Sequence, residues 1–183
     1  MPEILPPSEL RVPDKNPLIL LYGPNNLGWD WRNRALGLIK RWDCEDEIYV
    51  INPKEGLVHG FSSLDLIRWT EGYEKQARAK PNGVSLFWLE NHGHSKRLNP
   101  SFWVTLGEAL TYNRFWGSKL VIGMDQGVSN QLEEVNARLE RIPHIKIASS
   151  LKELCQQAVD QAKGKFPYPY PVLSQTGLTE DTK

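Results

Sequence analysis

The sequence predicts a three-layer α/β fold. Five short apolar runs alternate with five stretches of helical periodicity, and glycine, proline and asparagine cluster at the junctions. The runs are apolar at nearly every position instead of every second one, as strands covered by helices on both faces must be in a parallel sheet.

The proline-rich start ends at Pro17, where LILLY (18–22) reads as the first buried strand and GPNNLG (23–28) as the breaker that follows it. From Trp29 to Trp42, the apolar residues Trp31, Ala35, Leu36, Leu38, Ile39 and Trp42 recur at helical spacing. EIYVIN (47–52) is the second strand, stopped by Pro53, and Ser62 or Ser63 then caps a helix that runs through Lys80 to Pro81. GVSLFWL (83–89) is the third strand. Asn99-Pro100 supplies an N-cap followed by proline at the first helical position, opening a helix to about Trp116 that Gly117 closes. KLVIGM (119–124), a helix from about Ser129 to Arg141, IKIAS (145–149) and a helix from Ser150 to Lys163 complete the alternation.

Right-handed crossovers and five strands favour the flavodoxin-like sandwich, a five-stranded parallel sheet in the order 2-1-3-4-5. Residues 17–164 form this unit, residues 1–16 an N-terminal extension, and residues 165–183, with three prolines near their start, an extended tail. Ligands of such sheets sit beyond the carboxyl ends of the strands at the switch point, here between strands 1 and 3. The loops there are 23–28 and 90–99, which makes Tyr22, Gly23, Pro24, Asn25, Asn26, Asn91 and Asn99 the expected binding residues.

Composition narrows the ligand. Twenty-two basic residues balance 22 acidic ones, which leaves no field for a phosphate backbone or an anionic lipid surface, so nucleic acid and membrane are not expected partners. No apolar run approaches the roughly 18 residues of a spanning helix, residues 1–16 lack the apolar core of a signal peptide, and a cytoplasmic protein is expected. Cys44 and Cys155 are isolated thiols. GPNNLGWDW lacks the Lys-Ser/Thr of a phosphate-binding loop and the third glycine of a dinucleotide fingerprint, so no nucleotide cofactor is expected. His59, Glu90, His92 and His94 match no defined metal-ligand spacing, and no metal is expected. Acyl transfer is unsupported: there is no GxSxG elbow, and Cys44 lies between Asp43 and Glu45, whose charges disfavour a thiolate.

The blocks LLYGPNNLGWDWRNRALGLIKRW, RWTEGYEKQARAKPNGVSLFWLE, SFWVTLGEAL and KLVIGM, in this order and spacing over residues 17 to 125, resemble the nucleoside 2-deoxyribosyltransferase family. The resemblance implies a flavodoxin-like fold that breaks the N-glycosidic bond of a 2-deoxynucleoside. It also implies a nucleophilic glutamate two residues before a glycine, and acidic residues that orient sugar and base. Carried onto this chain, the nucleophile's position falls on Thr105, before Gly107. The orienting acid on the helix before strand 3 falls on Glu74, and another acid, six residues before the nucleophile, falls on Asn99.

Threonine attacks only with an adjacent base to take its proton. A lost carboxylate about 4 Å from an oxocarbenium-like cation forfeits on the order of 4 kcal/mol at an effective dielectric near 20, about a thousandfold in rate. Glu108 does not substitute: at about 100° per residue it projects away from the face of Phe102, Trp103, Leu106, Ala109 and Leu110. Glu90, leaving strand 3 at the crevice, is the better candidate. Two readings follow. In one, Glu74 or Glu90 serves as general base on water and the chain hydrolyses an N-glycoside; in the other, the chain is a non-catalytic protein of the same fold, its crevice binding a nucleoside or nucleotide without turnover or the chain serving in an assembly. The resemblance further implies a homo-oligomer, for which Trp103, Trp116 and the Pro-Tyr tail offer association surface among the chain's seven tryptophans.

Overall fold

A computed structural model describes residues 1–6, 11–23, 30–43, 47–53, 62–89, 107, 120–125, 137 and 147–165. Its elements are β1 (Glu3–Ile4), β2 (Leu18–Tyr22), α1 (Trp31–Trp42), β3 (Tyr49–Ile51), α2 (Ser63–Ala79), β4 (Gly83–Leu89), β5 (Leu120–Met124) and α3 (Leu151–Ala162). The strands form one five-stranded sheet in the order β1-β3-β2-β4-β5, and every pairing is parallel. This is an α/β fold with the sheet of a flavodoxin-like sandwich.

The first four strands read from the sequence keep their places as β3, β2, β4 and β5, with β2 paired to β4 from Leu18↔Gly83 to Tyr22↔Phe87. Two details at the edges differ. Of the expected strand 145–149, the described part makes only an isolated parallel bridge, Gly123↔Ala148. The ladder stops there because Ser149 turns its backbone N–H and hydroxyl to the Glu153 carboxylate, and Ser150 caps α3 by accepting from the Glu153 N–H. The opposite edge gains β1 from the segment read as an extension, with Val50 N–H donating to Pro2 O and Asn52 N–H to Ile4 O. Prolines at 2 and 6 suit an edge strand, where a missing donor costs no ladder bond.

Side chains alternate across the sheet and so build two cores. Ile19, Leu21, Val84, Leu86, Trp88 and Val121 pack with α1 (Trp31, Ala35, Leu36, Ile39) and α3 (Leu151, Leu154, Cys155, Ala158, Val159). Leu18, Leu20 and Ile51 pack with Tyr73 and Ala77 of α2 on the other face. Each fully buried Leu or Ile contributes about 1.5–3 kcal/mol against about 0–1 for an exposed ion pair, so these two layers hold the fold.

Caps set the helix limits. Ser62 and Asp65 form a reciprocal capping box, the Ser62 hydroxyl accepting from Asp65 N–H and the Asp65 carboxylate from Ser62 N–H. Asp30 caps α1, and beyond its end the buried Asp43 carboxylate accepts from the amides of Glu47 and Ile48 while lying 3.5 Å from Lys163 Nζ. At the end of α2, Gln76 Oε1 accepts from Val12 N–H and Lys80 donates to Pro13 O, which fastens the N-terminal segment to the α2 layer. The expected helices at 100–116 and 129–141 lie outside the described residues except for Gly107 and Ala137, both helical and exposed.

Candidate functional site

The site begins where β2 ends. Tyr22 is its last residue, and its register partner on β4 is Phe87. The two rings stack with centroids 4.3 Å apart and planes 4° from parallel. Phe87 is buried, whereas Tyr22 is half-buried and packs on the α2 side of the sheet. That hydroxyl donates to Glu74 Oε1 across 2.9 Å.

Helix α2 brings the second donor. Arg78 stands four residues after Glu74, the spacing that places side chains together on one helix face, and its Nη2 lies 2.9 Å from the same Oε1. One carboxylate oxygen thus receives a phenol O–H and a guanidinium N–H, while Oε2 has no hydrogen bond or ion pair among the described residues. The Glu74 side chain is 21% exposed and that of Arg78 24%, so the pair is half-buried. A carboxylate held in this way has a fixed direction and one oxygen left to accept from a hydroxyl or a water. Trp69 and Tyr73, tilted rings 4.6 Å apart, extend the aromatic surface of the same helix.

Gly23, next in the chain, adopts φ +153°. A Cβ there would lie 2.7 Å from the Trp31 ring and 2.8 Å from Trp88 O, so both the dihedral and the space require glycine. Its carbonyl accepts from Arg32 Nη2 at 2.8 Å, and the buried Arg32 guanidinium sits 4.7 Å from the Trp31 ring centroid. The start of α1 is thereby tied to the end of β2, and the backbone leaves the sheet in a set direction. On the other side of β4, Asp125 N–H donates to Leu89 O and carries the ladder past β5.

Of the residues expected from the sequence, the structure brings Tyr22 and Glu74 into direct contact, with Gly23 following Tyr22 in the chain and turned to the α1 side. Pro24, Asn25, Asn26, Glu90, Asn91, Asn99 and Thr105 lie outside the described residues, as do His59, His92, His94 and Glu108. Three residues of the site escaped the sequence reading: Phe87, Arg78 and Arg32. Arg78 carried a signal in its i,i+4 spacing from Glu74. Phe87 and Arg32 carried none, because strand register and the approach of a helix start to a neighbouring strand are not local properties.

Among the described residues no group of three or more His, Cys, Asp and Glu side chains could hold a metal ion, and no helix is long and apolar enough to cross a membrane. No protein-family model matches the chain, and no curated protein matches its sequence.

Proposed function

We propose that the chain acts on the N-glycosidic bond of a nucleoside or nucleotide at the carboxyl end of β2 and β4, with Glu74 as the acid that faces the sugar. The observation that carries this reading is the convergence of Tyr22 and Arg78 on Glu74 Oε1, which leaves Oε2 for the ligand. The likeness of the sequence blocks to nucleoside 2-deoxyribosyltransferases supports it, since Glu74 occupies the position of their orienting acid.

In hydrolysis, Oε2 of Glu74 takes a proton from a water that attacks the anomeric carbon. The carbon–nitrogen bond breaks, and the base departs with its electron pair and is protonated by solvent. In transfer, a second base takes the place of water. Thr105 stands where the family has its nucleophile, which favours direct attack over a covalent sugar-enzyme intermediate. A non-catalytic nucleoside site is the second reading. It is favoured by the same geometry, because an oxygen held by two donors orients a sugar hydroxyl whether or not a proton moves.

Chromatography of purified protein incubated with 2′-deoxynucleosides and their 5′-monophosphates, with and without an acceptor base, separates the outcomes. Free base that falls at least about a hundredfold in Glu74→Gln supports the enzyme. Saturable binding with no base released supports the second reading. Neither turnover nor binding removes both.

A further inference from the structure

We propose that Thr70 is a second sugar-binding residue beside Glu74, its hydroxyl donating to the same sugar hydroxyl from which Glu74 Oε2 accepts, so that the ligand carries a free 3′-hydroxyl. This rests on the nucleoside reading of the site and names the sugar the site takes.

Helix α2 runs from the carboxyl end of the sheet towards its amino end. It follows the carboxyl end of β3, and near its close Ala77 packs on Gly83, the first residue of β4. Thr70, Glu74 and Arg78 stand on successive turns of one flank of this helix, at i,i+4 spacing, and all three are half-buried. Arg78 therefore holds Glu74 from the amino side, where its guanidinium meets Oε1. Thr70 stands one turn, about 5.4 Å, nearer the carboxyl ends of β2 and β4, on the side from which a ligand in the crevice reaches Glu74. The Thr70 hydroxyl makes no hydrogen bond among the described residues, and neither does Glu74 Oε2.

A hydroxyl both donates and accepts, whereas a carboxylate oxygen only accepts. Glu74 Oε2 takes the proton of a sugar hydroxyl, and the Thr70 O–H fills a lone pair on the same sugar oxygen. The pair reads a hydroxyl: a phosphate ester in its place offers Oε2 no proton and sets negative charge against negative charge. A 2′-deoxynucleoside and its 5′-monophosphate have only the 3′-hydroxyl in common, which makes that group the one recognised and excludes 3′-phosphates.

Calorimetric titration of the full chain with 2′-deoxynucleosides and with their 2′,3′-dideoxy counterparts tests the proposal, read as Kd, or as KM where base is released. Thr70→Val keeps the shape of the side chain and removes its hydroxyl. It is expected to weaken the 2′-deoxynucleoside about fivefold, the worth of one neutral hydrogen bond, and to leave the dideoxy compound unchanged. Thr70→Ser restores the wild-type value, and circular dichroism shows both variants folded. A hydroxyl that only served the helix would move both ligands alike. Equal loss for the two ligands, or loss for neither, overturns the proposal and leaves the nucleoside reading standing; no binding of any nucleoside by wild type removes the reading and the proposal together.

Discussion

Tyr22 and Glu74 are 52 residues apart in sequence, and their side chains meet across a 2.9 Å hydrogen bond that joins the last residue of a buried strand to the middle of the helix covering it. The bond divides Tyr22 between two tasks: its ring packs on Phe87 and its hydroxyl aims a carboxylate.

Tyr22→Phe separates those tasks. The stacked ring remains and the donor goes, so stability falls by about 0.5–1.5 kcal/mol in urea titration, the usual worth of one hydrogen bond. Under the proposed function, nucleoside affinity or turnover falls as well, because Glu74 keeps Arg78 but loses one of its two anchors. Turnover and binding unchanged alongside a clear loss of stability would show the contact to be structural only.

Two glycines respond to alanine with opposite signs. A Cβ on Gly83 would lie 2.0 Å from Ala77 O, a backbone atom of α2 that cannot yield without moving the helix. Gly83→Ala is therefore expected to cost about 3 kcal/mol, near the upper end for overpacking. Gly37, exposed within α1, has nothing within 4 Å of its Cβ position. Gly37→Ala is expected to stabilise by about 0.5–1 kcal/mol through helix propensity. Thermal melts of the two variants check both signs.

The capping box of α2 makes a pH-dependent contribution. The Ser62 hydroxyl, and after it the Ser62 backbone N–H, hold the Asp65 carboxyl below its ordinary value of 3.8. A carboxyl whose folded pKa lies below its unfolded one binds fewer protons when folded. Its stabilisation is complete above 3.8 and disappears as pH falls through the folded value. The stability difference between wild type and Asp65→Asn should therefore shrink as pH is lowered from about 6 to about 2. A difference that stays constant over that range would contradict the assignment.

Burial between α3 and the sheet pushes the Cys155 thiol up to about 12. The thiolate is the reactive form, so Cys155 should resist alkylation in the folded protein at pH about 8 and label at the rate of unfolding. Mass spectrometry of labelled peptides over increasing urea follows it site by site. Rapid labelling of Cys155 without denaturant would show that α3 opens locally.

Much of the architecture was legible because it is periodic. GVSLFWL reads as a buried strand and is one over the same seven residues, Gly83–Leu89. The spacing of Trp31, Ala35, Leu36 and Ile39 predicts the buried face of α1, and those four are buried. β1 was not legible, since two ladder residues among prolines carry no period and acquire meaning only beside β3. The described end of IKIAS, Ser149, leaves the strand because the competition between continuing it and capping the next helix is settled by Ser149, Ser150 and Glu153 together.

By itself the sequence determined the class of fold, the order of its central strands and the placement of Tyr22 and Gly23 at the carboxyl end of a buried strand. Those are consequences of hydrophobic period and of breaker residues, which act over a few neighbours. Tertiary structure alone decided that Phe87 lies under Tyr22, that Arg32 reaches back to Gly23, and that Tyr22 and Arg78 share one oxygen of Glu74. Sheet register and helix packing set those contacts, and both depend on burying two apolar layers at once, a condition on the whole chain that no short stretch of it contains.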